Sequence, residues 1–272
     1  MGELFMTLDE LRARIGTAEA PAIVDVRRWA AFNPDATVIP TARWRDHMQA
    51  KEWAREVTSG REILVYCAHG HNVSQLAVAT LREAGHNVRS LEGGIEAWRQ
   101  AGHPLIRKAG LPGRDEAKPS IWVTRVKPKI DRIACPWLIR RFIDDQARFL
   151  FVEPEFVKDV AAEIGGIAYD IEGVDLTHRG EGCTFDTLLD ELGLDEASLR
   201  ALALIVRGAD TGRPDLAPEA AGLLAVSLGI SALSGGDDAS ALERGFPVYD
   251  AIYAWLRHAK GETHGWPPRS AA

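Results

Sequence analysis

The stretch "EILVYCAHGHNVSQLAVATLREAG", residues 62–85, places an apolar run before a short polar loop and a helical pattern. The run "EILVYC", residues 62–67, predicts a strand that is buried on both faces, as in a parallel sheet. Residues 74–84 repeat apolar side chains at helical spacing, and Gly85 is a suitable C-terminal cap. This strand, loop and helix predict an α/β fold, with Cys67 at the carboxyl end of a central strand.

The flanking sequence continues the alternation of strand and helix. Thr7 and Glu10 form a capping-box pattern at the start of an amphipathic helix. The segments "AIVDV" (22–26) and "NVRSL" (87–91) predict strands, and "GGIEAWRQAG" (93–102) predicts a short helix. The sequence therefore predicts a parallel sheet flanked by helices up to about residue 105.

A second unit follows a stretch of different character. Residues 106–120, "IRKAGLPGRDEAKPS", carry Gly, Pro and charge without periodicity, which is typical of a linker. Further strands are predicted at "IWVTRV" (121–126), "RFLFV" (148–152) and "GIAYDI" (166–171), and only helical patterns follow residue 183. We expect a mixed α/β second domain with a largely helical C-terminal part. The predicted boundaries are 1–107 for the first domain, 108–119 for the linker and 120–268 for the second domain.

Composition restricts the class of protein. The 272 residues are 46% hydrophobic and 26% charged, which fits a globular chain, and the formal charge of −7 argues against a general nucleic-acid binder. We expect no signal peptide and no membrane span, because neither pattern occurs in the sequence. The three cysteines are widely spaced, without a CxxC pair, which argues against a disulfide framework or a standard zinc motif. We expect a reducing cytoplasm.

Cys67 has two interpretations from its position alone. The loop N–H groups and the positive end of the following helix dipole favour a thiolate there, which makes Cys67 a candidate nucleophile. A free cysteine at a strand end is equally often a buried packing residue. The candidate active-site loop comprises Ala68, His69, Gly70, His71, Asn72, Val73 and Ser74.

His69 and His71 add two further possibilities to this loop. Either imidazole could transfer a proton near neutral pH, or both could be exposed loop side chains. With Cys67 they also form a Cys-x-His-x-His array, although so short a segment is poorly suited to directing three ligands at one metal ion.

The first 105 residues resemble a rhodanese domain. The resemblance rests on "IVDVR" (23–27), "VIPTA" (38–42), "YCAHGHNVS" (66–74) and "LEGGIEAWRQAGHPL" (91–105). It implies that Cys67 accepts sulfane sulfur as a persulfide and passes it to a thiol. It also implies supporting roles for Asp25 and Arg27, and no cofactor.

Two departures from the family pattern bear on the chemistry. "VIPTA" replaces the usual "GHIPGA" segment, and the loop after Cys67 is one residue longer than the common sulfurtransferase form. A longer loop is similar to that of the phosphatase relatives, which grip phosphate with an arginine. Asn72 and Val73 stand where that arginine should be, so sulfur transfer is the favoured chemistry.

Residues 120–268 resemble the C-terminal domain of ChrB-type chromate-resistance proteins. The residues that carry this are "WVTR" (122–125), "KIDRIACPWLIRRFID" (129–144), "GCTFD" (182–186), "IVRGADT" (205–211) and "YDAIYAWL" (249–256). The combination of domains implies a sulfurtransferase associated with chromate or oxidative-stress resistance.

The second domain offers several polar candidates without a standard motif. Its basic residues could attract an oxyanion such as chromate or could be ordinary surface charge. The loop 178–186 has residue types that bind transition metals, but Cys183 and Asp186 also suit the start of a helix. The candidates are Arg125, Asp131, Arg132, His178, Glu181, Cys183, Asp186 and Asp210.

Two function classes remain open from the sequence. The favoured one is a sulfurtransferase that carries sulfur on Cys67 and uses a small-molecule sulfur donor and a thiol acceptor. The alternative is an oxyanion- or chromate-binding or sensor protein with an inactive rhodanese scaffold. Neither a membrane nor a nucleic acid is a predicted partner.

Overall fold

The computed structural model describes residues 4–56, 60–110 and 118–262. The strands are β1 (Phe5–Met6), β2 (Ala22–Asp25), β3 (Thr37–Val38), β4 (Arg43–Trp44), β5 (Ile63–Tyr66), β6 (Val88–Leu91), β7 (Ile106–Arg107), β8 (Ile121–Arg125), β9 (Arg148–Val152) and β10 (Ile167–Ala168). The α-helices are α1 (Leu8–Arg14), α2 (Trp29–Phe32), α3 (Ala50–Trp53), α4 (Asn72–Glu83), α5 (Gly94–Gln100), α6 (Asp131–Leu138), α7 (Val157–Ile164), α8 (Thr184–Leu192), α9 (Ala197–Asp210), α10 (Ala220–Ser234) and α11 (Asp238–Ala254). Short 3-10 or π turns occupy His47–Gln49, Lys108–Gly110, Ile139–Ile143, Pro154–Phe156, Pro214–Leu216 and Trp255–Ala259.

The first sheet is parallel, in the order β1-β6-β5-β2-β4. All four residues of β5 are buried, because helices cover both faces of a parallel sheet. The α/β fold predicted from the sequence is confirmed. Thr7 caps α1 by accepting a hydrogen bond from the Glu10 N–H at 3.2 Å, as the capping-box pattern predicts. The helix α4 ends just before Gly85, which has a left-handed φ of 90°.

The second sheet has three parallel strands in the order β10-β8-β9. Helix α6 follows β8, and α7 lies between β9 and β10. Helices α8 to α11 come afterwards, so the predicted change from mixed α/β to a helical C-terminal part is confirmed. The two-stranded ribbon of β3 and β7 is antiparallel.

One hydrophobic core runs through both parts of the chain. Ile15 of the first part and Phe142 and Tyr253 of the second belong to the same cluster of buried residues. A Cβ on Gly16 would lie 2.4 Å from the Phe142 ring, so the residue must be small at this contact. Thr41 donates its backbone N–H to the Phe142 carbonyl at 3.0 Å. The two sheets are therefore joined by packing as well as by the chain.

The predicted linker and the predicted C-terminal boundary fall partly outside the described residues. Residues 111–117 of the linker and 263–268 of the predicted second domain are among those not described. Within the described part, no helix is both long enough and apolar enough to span a membrane.

Candidate functional sites

Cys67 lies directly after β5, and its thiol faces the first turn of α4. The Sγ atom is 3.3 Å from the Ser74 Oγ, and Ser90 donates its hydroxyl to the same Ser74 oxygen at 3.0 Å. Both serine residues are completely buried, while Cys67 is 6% exposed. The cysteine is at the base of a depression of about 290 Å³. The depression is lined by Arg27, Arg28, Ala31, Cys67, Ala68, His69, His71, Asn72 and Val73.

The start of α5 fixes the backbone at Cys67. The Ile95 N–H donates to the Cys67 carbonyl at 3.0 Å, and the Glu96 N–H donates to the Ala68 carbonyl at 3.1 Å. A Cβ on Gly94 would lie 2.3 Å from the Cys67 oxygen, so glycine is required for this close approach. The segment "GGIEAW" therefore acts as the support of the cysteine loop.

With those two carbonyls bound to α5, the N–H groups of the loop remain available. Within the described chain, the backbone N–H groups of residues 68–74 donate to no oxygen or sulfur atom. Such groups at the N-terminus of a helix form an anion site. The loop can therefore bind an anionic group attached to, or approaching, the sulfur.

Asp25 and Arg27 form a buried network below the loop. Arg27 donates to both oxygens of Asp25, at 3.1 and 2.9 Å from Nε, and to Asp35 at 2.6 Å. The Tyr66 hydroxyl donates to Asp25 at 2.8 Å. Desolvation of the guanidinium opposes its charge, but Asp25 and the neighbouring groups hold the pKa of Arg27 above its usual value. Asp25 thus anchors Arg27, whose side chain forms one wall of the depression.

His69 and His71 are both exposed at the mouth of the depression. Among the described residues, the only group of donor atoms with metal-ligand spacing is elsewhere in the chain, so Cys67, His69 and His71 form no such array. Their place next to Cys67 leaves both histidines able to meet a substrate.

A second polar site lies where β8, α6, α8 and α9 meet. Ligand atoms of Asp131, Asp170 and His178 all lie within 4.8 Å of one another. The His178 Nε2 atom is 3.5 Å from Asp131 Oδ2, 3.4 Å from Asp170 Oδ1 and 3.4 Å from Asp210 Oδ2. We call Asp131, Asp170, His178 and Asp210 the aspartate–histidine cluster.

Asp131 is oriented by the N-terminus of α8. Its Oδ2 accepts the Thr184 N–H at 2.7 Å, and its Oδ1 accepts the Phe185 N–H at 3.1 Å. Cys135, one turn further along α6, lies 3.1 Å from Oδ1 with its sulfur. Burial, followed by the charge of Asp131, raises the pKa of the Cys135 thiol well above its usual value, so it remains protonated.

Asp170 holds the two arginines predicted for this region. Its Oδ2 accepts from Arg125 at 3.1 Å and lies 3.3 Å from Arg132 Nε, while its Oδ1 accepts the Thr184 hydroxyl at 2.9 Å. Burial opposes the charge of Asp170, but His178, Thr184 and Arg125 together keep its pKa below the usual value. These arginines are therefore components of an ion-pair network, which weakens their interpretation as a free basic patch.

The cluster has an excess of negative charge. The carboxylates of Asp131 and Asp170 raise the pKa of His178 to about 10. Burial, followed by the charges of Asp131 and Asp170, raises the pKa of Asp210 to about 6. Both shifts show that the site favours an added positive charge.

Of the two interpretations left open for residues 178–186, the structure supports the helix start for Cys183 and Asp186 and not a metal site made of His178, Glu181, Cys183 and Asp186. Glu181 is exposed, and Asp186 forms a two-point ion pair with Arg207 at 3.0 and 2.7 Å. Asp186 also accepts the Cys183 N–H at 3.0 Å. Cys183 and Asp186 therefore cap α8. Of these four residues, His178 is the one that faces the carboxylates of the aspartate–histidine cluster.

Asp170 was missed by sequence reasoning, although a signal was present. Asp170 lies near the end of the predicted strand "GIAYDI", residues 166–171. An acid at the carboxyl end of a parallel strand is a common ligand position. Its left-handed φ of 52°, rare for a residue other than glycine, is visible only in the structure.

The two sites do not share a cavity. Every residue around the depression at Cys67 comes from residues 27–73. Cys183 is completely buried, and burial, followed by Asp131, raises the pKa of its thiol far above the usual value. The geometry thus gives no support to a transfer of sulfur from Cys67 to Cys183.

Family models match both parts of the chain. The family model described as "Rhodanese-like domain" matches residues 7–101, and the model described as "ChrB, C-terminal domain" matches residues 122–256. The chain therefore combines a rhodanese-like domain with a ChrB C-terminal domain.

Individual relatives match different shares of the chain. "Protein ChrB" of Cupriavidus metallidurans is 31% identical over 74% of this chain, and the match spans 66% of that relative's length. "Thiosulfate sulfurtransferase GlpE" of Pseudomonas syringae is 28% identical over 30% of this chain and 74% of its own length. A solved rhodanese-related protein from Thermoplasma volcanium covers 38% of this chain and 97% of its own, with 26% identity and a TM-score of 0.34.

Proposed function

We propose that this protein is a sulfurtransferase that carries sulfane sulfur as a persulfide on Cys67. The observation that carries the proposal is the loop at the end of β5. Its carbonyl groups at Cys67 and Ala68 are bound by α5, and its N–H groups from 68 to 74, which have no acceptor among the described residues, can receive an anion. The names of the sulfurtransferase relatives support the same chemistry.

The first half-reaction takes sulfur from an anionic donor such as thiosulfate. The Cys67 thiolate attacks the outer sulfur of thiosulfate, the sulfur–sulfur bond of the donor breaks, and sulfite leaves with the electron pair. Cys67 then carries a persulfide anion, so no oxidant is needed and the charge is conserved. The free N–H groups of the loop stabilise the negative charge on the transferred sulfur.

The second half-reaction passes the sulfur to a thiol. The acceptor thiolate attacks the terminal sulfur of the persulfide, and the Cys67 thiolate leaves. The Ser74 hydroxyl donates to the His71 carbonyl at 3.1 Å, and its Oγ is 3.3 Å from the cysteine sulfur, so rotation of the hydroxyl would direct its proton to this leaving group. His69 and His71, at the mouth of the depression, are placed to meet the acceptor and remove its proton.

The proposal also includes the cellular conditions in which this activity would operate. The ChrB C-terminal domain supports an association with chromate or oxidative-stress resistance. A reducing compartment such as the cytoplasm would keep Cys67 reduced between cycles and supply thiol acceptors. The pairing of Arg125 and Arg132 with Asp170 argues against the alternative of a free oxyanion-binding patch.

The test is the mass of the full chain after incubation of the reduced protein with thiosulfate or 3-mercaptopyruvate. We expect a gain of one sulfur atom that cyanide removes, that is absent from Cys67→Ala, and that persists in Cys183→Ser. A gain that survives in Cys67→Ala would contradict the proposal, as would no gain with either donor.

A further inference from the structure

The distances in the aspartate–histidine cluster are unusual for hydrogen bonds. His178 Nε2 lies at 3.4 to 3.5 Å from three carboxylate oxygens at once. An ordinary N–H···O bond spans about 2.7–3.2 Å, and one N–H cannot point at three oxygens. Donor atoms about 2.1 Å from a tetrahedral zinc ion lie about 3.4 Å from one another. The spacing around Nε2 therefore matches ligands that share a metal ion better than hydrogen-bonded partners.

The carboxylates are also held as metal ligands usually are. Asp131 is bound by two backbone N–H groups at the start of α8, and Asp170 by the Thr184 hydroxyl and by Arg125. Metal-binding carboxylates are typically fixed by such outer hydrogen bonds, which preserve their orientation without the ion. Both residues are almost completely buried, at 1% and 3% exposure, so their direction is set by the fold.

The balance of charge leaves room for a cation. In the described chain, the ion pairs of Asp131 and Asp210 are with His178 alone, whereas Arg125 and Arg132 both pair with Asp170. One imidazole carries at most one positive charge, so two carboxylates that pair with it alone remain incompletely compensated, which is costly for buried charge. A divalent ion beside Asp131 and Asp210 would remove that cost.

The residue before Asp170 also carries a buried hydroxyl. Tyr169, directly before Asp170, is completely buried, and its hydroxyl has no hydrogen-bond partner within the described chain. A buried hydroxyl is normally paired.

We propose that Asp131, Asp170 and His178 bind a divalent transition-metal ion, zinc in the first instance, with Asp210 beside His178 at the edge of the site. One imidazole and two carboxylates suit zinc or manganese. The His178 side chain is 41% exposed, which gives the ion access from solvent. The thiols of Cys135 and Cys183 are not ligands, since they hydrogen-bond to Asp131 and Asp186 instead.

The experiment uses the full chain, freed of metal with a chelator and titrated separately with zinc, manganese, calcium and magnesium salts in a calorimeter. We expect one zinc ion per chain and a zinc-dependent rise in Tm. Cobalt(II) in the same site should give the visible absorption of a tetrahedral complex with nitrogen and oxygen ligands.

Single substitutions show which residues bind the ion, and zinc binding is measured without any assay of sulfur transfer. His178→Ala should raise the Kd for zinc at least about tenfold, as should Asp170→Asn. Glu181→Gln, in the same loop and exposed, should leave zinc binding unchanged, as should Cys67→Ala. Because His178 is exposed, its alanine variant should retain the circular dichroism of the parent chain.

Several outcomes would overturn the assignment. These are no stoichiometric zinc or manganese binding, preferential binding of calcium or magnesium, undiminished zinc binding by folded His178→Ala, or loss of zinc binding in Cys67→Ala. The last result would place the metal at the sulfur site.

Discussion

The cysteine loop and the aspartate–histidine cluster are built in opposite ways. The loop is one continuous segment, and its remote supports include the start of α5 and the Ser90 hydroxyl. The cluster takes single side chains from four separate segments, at positions 131, 170, 178 and 210. The first site presents backbone N–H groups to an anion, whereas the second presents carboxylates to a cation. A contiguous site can be read from sequence, while a dispersed one depends on how the helices pack.

The largest effect on the first site alone should come from Gly94→Ala. The new methyl group would overlap the Cys67 carbonyl oxygen, so the loop must move. A displacement of about 1 Å at reacting atoms can reduce the rate about 100-fold, and we expect a loss of that order in kcat/KM for sulfur transfer from thiosulfate to cyanide. Zinc binding at the aspartate–histidine cluster should be unaffected.

Gly102→Ala is the matched control for this change. Gly94 and Gly102 have similar left-handed φ values, 62° and 70°, but nothing lies within 4 Å of a Cβ at Gly102. Gly102→Ala should therefore cost only the backbone strain, about 1 kcal/mol in the free energy of unfolding, with normal sulfur transfer. Equal losses of activity in the two variants would show that the contact with Cys67 is unimportant.

A smaller effect is expected from Ser74→Ala. The change removes the hydroxyl that faces the cysteine sulfur, and a hydrogen bond to an ionised group contributes about 1.5 kcal/mol, or roughly tenfold in kcat/KM. Ser90→Ala removes a hydroxyl that donates to Ser74 and does not contact the sulfur directly in the described part of the chain, so it should have a weaker effect on rate. Steady-state kinetics of the two variants, side by side, would distinguish these roles, and a larger loss in Ser90→Ala would contradict them.

Thr41→Gly tests how the two regions are joined. Thr41 has a left-handed φ of 62° and a buried hydroxyl without a partner, and its N–H bonds to Phe142 of the second part. Glycine accepts that conformation and removes the unpaired group, so we expect a gain of about 1 kcal/mol in the free energy of unfolding. Urea denaturation would measure it; a lower midpoint would show that the threonine side chain stabilises the junction.

Acid should weaken the Asp35–Arg27 ion pair below the cysteine loop only at low pH. Burial opposes the charge of Asp35, but Thr37, Arg99 and Arg27 lower its pKa to about 2. Because an unfolded aspartate has a pKa of about 3.9, this contribution is fully present above about pH 4 and is lost as the pH falls towards 2. Asp35→Asn should reduce the slope of Tm against pH between these values, and an unchanged slope would exclude Asp35 as a source.

The smallest expected effect tests whether the two sites act independently. Cys183 is buried at the cap of α8, with a thiol held protonated, so Cys183→Ser should leave the rate of sulfur transfer unchanged. A fall in the rate of thiol-dependent sulfur transfer, with an unchanged Tm, would instead indicate that sulfur passes between the domains.

The sequence by itself determined the elements that depend on neighbours along the chain. The buried strand 62–67, the capping box at Thr7 and the helix end at Gly85 follow from local pattern and capping, as does the place of Cys67 after its strand. The rhodanese-like and ChrB-type resemblances were also readable, because their motifs are contiguous. His178, Asp131 and Asp210 could be singled out one at a time, but nothing in their spacing indicated that they meet.

Only the tertiary structure decided which candidates act together. Packing of α6 and α9 against α8 brings Asp131 and Asp210 to His178, while the same packing assigns Cys183 and Asp186 to a helix cap. The backbone hydrogen bonds from Ile95 and Glu96 to the Cys67 loop likewise join segments that are distant in the sequence, at the carboxyl ends of the strands. These outcomes arise because side chains from distant positions compete for the same buried hydrogen bonds and charges, and that competition is settled by the packing of the core.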